Sequence, residues 1–166
     1  MYNLYIDFDG VILDTIEETR IMMENSGVDL NNEEEVRVFY KELDWNYLLE
    51  NTKEINNSLE CINKIIDTNL FDVSILTHVN SINEIIEKIK YIRKYFNDIT
   101  IIPVPIEVSK TKMVHTDGSI LIDDRISNLV EWNNEGGISV LFTKEKTNTK
   151  YINISSLDEI IEIFKN

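Results

Sequence analysis

The chain has 166 residues, 43% of them hydrophobic and 28% charged, which is typical of one globular domain. Its net charge of −14 and pI near 4.5 argue against a nucleic acid polymer as partner, because binding a phosphate backbone needs clustered lysine and arginine. No apolar run approaches the roughly 18–20 residues that span a bilayer, and no N-terminal segment has a signal-peptide pattern, so no membrane partner is expected. Cys61 is the only cysteine, which excludes an internal disulfide, and together these features predict a cytoplasmic protein.

Short apolar runs recur along the chain and predict the strands of a sheet. Turn-forming residues bound several of them, such as the Gly136-Gly137 pair before the last run and the prolines at the end of the third. In chain order the predicted strands are Leu4–Phe8, Val73–Thr77, Ile99–Val104, Ile120–Ile122 and Ile138–Phe142.

Segments with apolar residues at three- and four-residue spacing lie between these runs and predict amphipathic helices. Ser81 and the Ser155-Ser156 pair stand where helix N-caps are expected. The predicted helices are Thr15–Asn25, Glu33–Leu43, Trp45–Leu49, Asn56–Ile66, Ile82–Phe96, Ile126–Asn134 and Leu157–Phe164.

The alternation of strands and helices predicts an α/β fold with a doubly wound, mainly parallel sheet. The stretch from about 14 to 69 breaks the alternation because it is long and helix-rich. We therefore predict a single domain, 1–166, with a core of about 1–26 and 58–166 and a small helical cap of about 27–57 inserted after the first strand and its helix. Ligands of open parallel sheets bind at the carboxyl ends of the strands, where such a cap would roof the site.

Two acidic residues stand at the end of the first predicted strand, in the run Asp7-Phe8-Asp9-Gly10-Val11. Side chains two residues apart on an extended backbone point the same way, so the two carboxylates share one face. Like charges on one face repel, and a fold keeps them together when a cation compensates them or when chemistry uses them. The first ten residues are therefore a candidate catalytic centre.

Polar and charged residues also stand at or near later strand ends. Thr77 ends the second strand, and its hydroxyl can donate to a phosphoryl oxygen, although a threonine there is more often structural. Asp123 and Asp124 end the fourth strand and offer the hard oxygen ligands that Mg²⁺ needs, although a doubled aspartate before a helix is also a helix cap. Lys110 and Lys112 lie just upstream, where a cation would offset phosphate charge, although a surface lysine usually has no such role.

A carboxylate pair, a hydroxyl, a lysine and a second carboxylate pair thus follow one another in order, and this order resembles the four motifs of the haloacid dehalogenase-like (HAD) hydrolase superfamily. The matching segments are Asp7-Phe-Asp9-Gly-Val, Ser74-Ile-Leu-Thr77, Lys112 and Leu121-Ile-Asp123-Asp124. The resemblance covers the whole chain apart from the cap, and its first and last motifs are the specific ones. It implies a HAD-like Rossmannoid sheet.

The resemblance also implies a phosphomonoesterase that depends on Mg²⁺ and works through an aspartyl-phosphate intermediate. Asp7 would be the nucleophile, and Asp9 would be the general acid–base that protonates the leaving oxygen and then activates water. The Mg²⁺ ion would be held by Asp7, the main-chain carbonyl of Asp9, Asp123 directly, and Asp124 either directly or through water.

The remaining phosphoryl oxygens would be held by Thr77 and Lys112 in this comparison. Lys110 competes for the lysine role, and Lys112 is preferred because the short helix and strand that follow it match the motif more closely. Gly10 would let the backbone approach the phosphoryl group. His78 could line the substrate pocket or be an ordinary polar loop residue.

The segment 121–138 resembles the 5′(3′)-deoxyribonucleotidase-like branch of the superfamily, with a similar run of Asp-Asp, Asn-Leu, Trp and Gly-Gly. This resemblance implies a nucleoside monophosphate as substrate. A base needs an aromatic stacking surface, and the cap offers Phe39, Tyr40, Trp45 and Tyr47. We take Phe39 and Trp45 as the candidate substrate contacts, although aromatic residues at helical spacing are also typical of the cap's own core.

Other functions compete with a nucleotidase. The same fold could act on sugar phosphates or other small phosphoesters. A phospho-accepting signalling module or a phosphate-binding regulatory module would use similar strand-end groups, but a receiver domain has no use for Asp9, and all motif residues of the enzyme are present. The expected partner is a small phosphate ester, bound by a monomer or a homodimer.

Overall fold

The structure, a computed structural model, describes residues 1–145 and 149–165. Within these residues, six strands form one parallel sheet in the spatial order third, second, first, fourth, fifth, sixth. The strands are β1 (Tyr2–Ile6), β2 (Phe71–Val79), β3 (Thr100–Pro105), β4 (Ile120–Asp123), β5 (Ile138–Phe142) and β6 (Ile152–Ile154). The strand order reverses on either side of β1, so the fold is the predicted doubly wound α/β sheet.

Each predicted strand is present, with ends that shift by a few residues. The sequence did not predict β6, because its three residues are too few to show alternation. In the sheet, Ile152 pairs with Val140 and Ile154 pairs with Phe142, along the edge of β5 opposite β4.

Each predicted helix is also present. Ser81 caps the fifth helix as expected, because its side chain accepts a hydrogen bond from the backbone N–H of Glu84. The helices are α1 (Thr15–Asn25), α2 (Glu33–Glu42), α3 (Trp45–Asn51), α4 (Ser58–Asp67), α5 (Ile82–Arg93), α6 (Ile126–Asn134) and α7 (Glu159–Phe164).

The sheet has a hydrophobic layer on each face. Leu4 and Ile6 of β1 pack into the larger layer, while Tyr5 between them packs against the smaller one. β4 repeats the pattern, since Ile120 and Ile122 lie in the larger layer and Leu121 lies in the smaller. Because both faces are covered, the middle of β1 and of β4 is apolar on both sides of the sheet.

The smaller layer centres on Trp132 of α6, which is fully buried. Its indole N–H donates to the carbonyl oxygen of Ser119 at 3.0 Å. The ring lies so close to Gly137 that a Cβ there would approach it to 2.3 Å. Gly136, at φ +84°, and Gly137 therefore allow α6 to turn directly into β5.

The helices between β1 and β2 differ in how they pack. α3 belongs to the larger hydrophobic layer through Trp45 and Leu48, both nearly inaccessible. α2 has no fully buried residue, and its N-terminus is held by the side chain of Asn32, which accepts from two backbone N–H groups of the acidic first turn. The proposed division into core and cap remains a prediction, and α2 contacts the larger hydrophobic layer only through the partly buried Phe39 and Tyr40.

Among the described residues, no helix is both long enough and apolar enough to cross a bilayer.

Candidate active site

The carboxyl ends of the three central strands meet at one edge of the sheet. Ile6, the last residue of β1, is in register with Ile75 of β2 and Ile122 of β4. The backbone N–H of Asp7 continues the ladder by donating to the carbonyl oxygen of Ile122 at 2.9 Å. Asp7 therefore leaves its strand beside Asp123, the last residue of β4.

Asp7, Asp123 and Asp124 each bring a carboxylate oxygen to within 4.8 Å of the others. Asp7 and Asp123 are buried, and Asp124 is half-buried. Burial raises the pKa of Asp7 to about 7; the neighbouring carboxylates add to the rise and Lys110 opposes it. Burial, followed by the charge of Asp123, raises the pKa of Asp124 to about 6. Three carboxylates in so small a space strongly favour a compensating cation.

Lys110 supplies part of that compensation, and the preference for Lys112 is corrected here. The Lys110 ammonium lies 2.9 Å from Asp7 Oδ1 and 2.6 Å from Asp123 Oδ2, with 2% of the side chain exposed. Lys112 is 64% exposed and pairs with Glu135 at 3.2 Å, away from the carboxylates. The short 3₁₀ turn of residues 110–112 directs the first lysine inward and the third outward.

The two aspartates at the end of β4 have different surroundings. Both oxygens of Asp123 have partners: Oδ2 accepts from Lys110 and from the Asn128 amide at 2.9 Å, and Oδ1 accepts from the Arg125 backbone at 2.8 Å, which leaves Oδ1 able to accept a further ligand. Asp124 Oδ1 is buried and has no hydrogen-bond partner among the described residues. Since a buried carboxylate oxygen is costly without a partner, Asp124 has the oxygen that most needs a ligand.

Gly10 makes the position of Asp124 possible. Its backbone adopts φ +73°, and a Cβ at this position would lie 2.5 Å from Asp124 Oδ2. Any larger residue would therefore both strain the turn and displace Asp124. The resemblance implies that Gly10 lets the backbone approach the phosphoryl group, which remains a prediction, and the structure places Gly10 beside the Asp124 carboxylate.

The donor set fits a hard divalent cation. The three carboxylates carry more negative charge than Lys110 balances, and Asp124 Oδ1 has no hydrogen-bond partner among the described residues. Mg²⁺ binds through a few carboxylates and retains several waters, so a partly open cluster on rigid strand ends suits it. Asp7, Asp123 and Asp124 are the residues that would hold the ion.

Asp9 lies beside this cluster but belongs to a different set of contacts. Its Oδ1 accepts from the Thr15 hydroxyl at 2.7 Å, and its Oδ2 accepts from the ammonium of Lys88 at 2.5 Å. The Thr77 hydroxyl lies 3.4 Å from the same Oδ2. The structure thus brings Asp9 and Thr77 together, as the sequence predicted, around a lysine that the sequence analysis missed.

Lys88 is buried on the inner face of α5, with 2% of its side chain exposed. Besides Asp9, its ammonium contacts Glu84 at 2.7 Å, Thr77 Oγ1 at 3.0 Å and the carbonyl oxygen of His78 at 3.1 Å. Burial opposes its charge, but the two carboxylates outweigh burial and raise the pKa of Lys88. Lys88 therefore carries its positive charge at neutral pH inside the protein.

A signal for this lysine was present in the sequence. Glu84 and Lys88 are four residues apart, a spacing that places them on the same helix face. The pattern of isoleucines on α5 pointed to a different face, and Ile82 and Ile86 are in fact exposed. The glutamate–lysine spacing is common on solvated helices, so the pattern alone does not reveal that this pair faces inward.

A cleft of about 400 Å³ opens above Asp9. One wall comes from the core and includes Ile16, His78, Ile106 and Arg125; the other comes from α2 and the start of α3 and includes Glu33, Val36, Arg37, Tyr40 and Trp45.

His78 was expected either to line the substrate pocket or to be an ordinary loop residue, and the structure places it in the wall of this cleft. Its Nε2 lies 2.9 Å from the carbonyl oxygen of Val108. Burial lowers the pKa of His78, which keeps the ring neutral at pH 7.

The aromatic residues of the cap divide into separate positions. Tyr40 lines the cleft, and its hydroxyl lies 3.0 Å from Thr19 Oγ1. Trp45 reaches the cleft but is 2% exposed, because Tyr40 stacks on it and Lys88 lies 5.2 Å from its ring centre. Phe39 lines a separate groove, which α2 forms with residues 26–28 after α1. The expected contact from Phe39 is therefore corrected, since the neighbouring Tyr40 lines the cleft instead.

Solved structures of HAD-superfamily hydrolases share this fold over nearly the whole chain. The HAD-hydrolase YfnB from Bacillus subtilis, bound to magnesium, is 16% identical with a TM-score of 0.64, and 99% of each chain is covered. A HAD phosphatase from Thermococcus onnurineus is 16% identical with a TM-score of 0.61, covering 98% of this chain and 97% of that one. A dehalogenase is 12% identical with a TM-score of 0.60, covering 100% of this chain and 98% of that one.

No protein-family model matches the sequence, and no curated protein matches it. At the identities above, the structural likeness establishes the fold, which is the HAD-like fold that the motifs predicted. The nucleotidase-like branch remains a prediction, because none of these three structures is described as a nucleotidase.

Proposed function

We propose that the protein is a Mg²⁺-dependent phosphomonoesterase that works through an aspartyl-phosphate at Asp7. The observation that carries the proposal is the cluster of Asp7, Asp123 and Asp124 around the buried Lys110 ammonium, with Asp9 beside it at the carboxyl edge of the sheet. The fold is shared with a HAD phosphatase and with a HAD hydrolase bound to magnesium, which is consistent with this chemistry.

The reaction begins with the carboxylate of Asp7. One of its oxygens attacks phosphorus while the bond to the ester oxygen breaks, which yields an aspartyl-phosphate and an alcohol. Asp7, Asp123 and Asp124 would hold a Mg²⁺ ion, whose positive charge would keep Asp7 ionised despite its raised pKa and would let it approach an anionic ester. Lys110 and Thr77 stabilise the charge on the phosphoryl oxygens.

Asp9 acts as general acid in the first step of the reaction and as general base in the second. It protonates the departing ester oxygen, and it then takes a proton from water as that water attacks phosphorus and the bond to Asp7 breaks. Free phosphate leaves and Asp7 is restored. Asp9 lies at the base of the cleft, where the leaving group must sit.

A dehalogenase is the alternative that the shared fold raises, and Asp9 argues against it. A halide leaves as a weak base and needs no proton, whereas an alkoxide leaving from a phosphate ester does. A second carboxylate held beside the nucleophile by Thr15 and Lys88 therefore has a use in a phosphatase and none in a dehalogenase.

The proposed substrate is a nucleoside monophosphate. The cleft of about 400 Å³ extends well beyond a phosphoryl group, and its walls include apolar side chains together with Tyr40 as a stacking surface. Arg37 and Arg125 at the cleft offer donors to a polar base or sugar. Sugar phosphates and other small phosphoesters are the second candidate class, favoured by the partly polar lining that Glu33 and Asn80 provide.

A phosphatase screen over deoxy- and ribonucleotides, sugar phosphates and an aryl phosphate, with and without Mg²⁺, tests the proposal. Asp7→Asn and Asp9→Asn serve as controls, and both should remove turnover. A wild-type protein without Mg²⁺-dependent turnover would favour the binding module instead. Equal rates on nucleotides and sugar phosphates would remove the nucleotide assignment and leave the phosphatase in place.

A further inference from the structure

The proposed reaction steps do not use Lys88, the buried lysine on α5. Lys88 lies between the rings of Phe8 and Trp45, 5.2 Å from the centre of each. Its side chain is 2% exposed, so it is not available to substrate from solvent. A fully desolvated ammonium is costly to bury, and this one is retained next to the proposed acid–base Asp9.

The hydrogen bonds around Asp9 are unequal. Oδ2 accepts from a charged ammonium at 2.5 Å, whereas Oδ1 accepts from the neutral Thr15 hydroxyl at 2.7 Å. Charge-assisted hydrogen bonds are roughly twice as strong as neutral ones, so Oδ2 is the anchored oxygen and Oδ1 is the one that a ligand can draw away. A carboxyl group with one oxygen anchored presents the other in a defined direction.

Lys88 also orients the hydroxyl of Thr77. The ammonium donates to Thr77 Oγ1 at 3.0 Å, so one lone pair is occupied, and the hydroxyl proton can be donated to Asp9 Oδ2 at 3.4 Å or to the carbonyl oxygen of His78 at 3.3 Å. The carbonyl oxygen of His78 accepts from the same ammonium at 3.1 Å, which ties the end of β2 to α5. Glu84, at 2.7 Å, holds the ammonium from the opposite side.

We infer that Lys88 is a positioning residue for the proton-transfer step: it anchors Asp9 Oδ2 and the oxygen of Thr77, and so leaves Asp9 Oδ1 to exchange the proton. The inference rests on the proposed phosphatase function. Asp9 Oδ1 gives its proton to the ester oxygen as the phosphorus–oxygen bond breaks. It takes one from water as the new phosphorus–oxygen bond forms and the bond to Asp7 breaks.

Substitution of Lys88 by methionine tests this role. Lys88→Met keeps the apolar stem between the two rings and removes the donor. Lys90→Met is the matched control, because Lys90 lies on the same helix with a 63% exposed side chain that pairs with Glu87. Loss of Lys88 leaves the buried Glu84 carboxylate without its cation, and a thermal melt shows whether Lys88→Met still folds. If it does not fold, the double variant Lys88→Met/Glu84→Gln removes the uncompensated charge and is used in place of the single variant.

Two substrates separate positioning from a general structural effect. An alkyl phosphate needs its leaving group protonated, and we expect kcat/KM of Lys88→Met on it to fall on the order of 10²-fold. The nitrophenolate of a nitrophenyl phosphate leaves without being protonated, so kcat/KM of Lys88→Met on this ester should fall much less. Its second step still needs Asp9, so the variant should release a burst of nitrophenolate and then turn over slowly.

The outcomes are distinct. An equal loss on both substrates without a burst, or a Lys88→Met protein as active as Lys90→Met, overturns the positioning role while the phosphatase stands. A wild-type protein that hydrolyses neither ester overturns the proposed function, and the positioning role falls with it. A selective loss on the alkyl ester with a nitrophenolate burst supports the inference.

Discussion

The two halves of the candidate site are built alike and differ in one respect. In the metal half, Lys110 lies between Asp7 and Asp123, with Asp124 close by. In the proton half, a second buried lysine, Lys88, lies between two carboxylates. Each half therefore has a buried ammonium at its centre, but the metal half has one carboxylate more.

That extra carboxylate is what separates the two halves chemically. Asp124 Oδ1 has no hydrogen-bond partner among the described residues, whereas in the proton half both oxygens of Asp9 are held. Glu84 is held as well, by Lys88 on one oxygen and the backbone N–H of Asn80 on the other. These contacts favour a further cation in the metal half, whereas the carboxylate oxygens of the proton half already have partners.

The largest expected effect comes from breaking the metal half at its lysine. Lys110→Met removes the cation that balances Asp7 and Asp123, and we expect phosphatase activity to fall on the order of 10²–10³-fold. Lys112→Met is the matched control, because its side chain is 64% exposed and should leave the rate unchanged. Steady-state rates of the two variants check the prediction, and a loss confined to Lys112→Met would restore the original sequence assignment.

Gly10 offers a narrower change to the same half. Gly10→Ala would place a Cβ 2.5 Å from Asp124 Oδ2 and strain a backbone at φ +73°. We expect weaker Mg²⁺ binding, by about tenfold, and a loss of roughly 1–2 kcal/mol in the free energy of unfolding. Gly118→Ala has a similar φ of +70° with nothing within 4 Å, so it isolates the strain. Titration calorimetry with Mg²⁺ should separate the variants, and equal affinities would show that Asp124 does not hold the ion.

The metal half also predicts how stability depends on pH without metal. Burial raises the pKa of Asp124 to about 6 and that of Asp7 to about 7, both above their usual range. Between about pH 4 and 7 the folded protein therefore binds more protons at these groups than the unfolded chain, so they contribute stability that is lost as pH rises. Mg²⁺ needs the ionised forms, and its stabilising effect should grow over the same window.

Thermal unfolding across that window, with and without Mg²⁺, checks both trends. Asp124→Asn is the control, because it removes one of the two groups and should flatten the metal-free dependence. A stabilising effect of Mg²⁺ that is the same at both ends of the window, or the same in Asp124→Asn, would contradict the metal half as described.

The smallest effect is expected outside both halves, in the cleft wall. Tyr40→Ala removes the stacking surface and should raise KM for a nucleoside monophosphate about fivefold to tenfold, with little change for glycerol phosphate. Tyr47→Ala is the control, since Tyr47 is 57% exposed and does not line the cleft. Equal effects on both substrates would place the base elsewhere.

The sequence predicted the fold and most of the metal half because those features are local. The pairs Asp7 with Asp9 and Asp123 with Asp124 can be recognised in the sequence, since each is a pair of carboxylates at the end of an apolar strand. Parallel pairing then brings them together without further information. The preference for Lys112 over Lys110 was wrong because a single 3₁₀ turn decides which of the two lysines points inward. The sequence around the turn does not show this orientation.

The proton half was only partly predictable for a related reason. Asp9 and Thr77 belong to motifs, whereas Lys88 reaches them from the middle of a helix whose isoleucines suggested another buried face. The cap was the least predictable region. Neighbouring residues Phe39 and Tyr40 line separate grooves, because successive residues of a helix point about 100° apart, and the sequence alone does not show which of the two faces the cleft.

One measurement tests the central claim most directly: rapid acid quench of the enzyme during turnover of a phosphate ester with Mg²⁺, followed by peptide mass spectrometry. The account predicts one phosphoryl group on the peptide that contains Asp7, at Asp7 itself, and none on the same peptide of Asp7→Asn. Phosphate release with an unmodified Asp7, or a phosphoryl group on another residue, would contradict it.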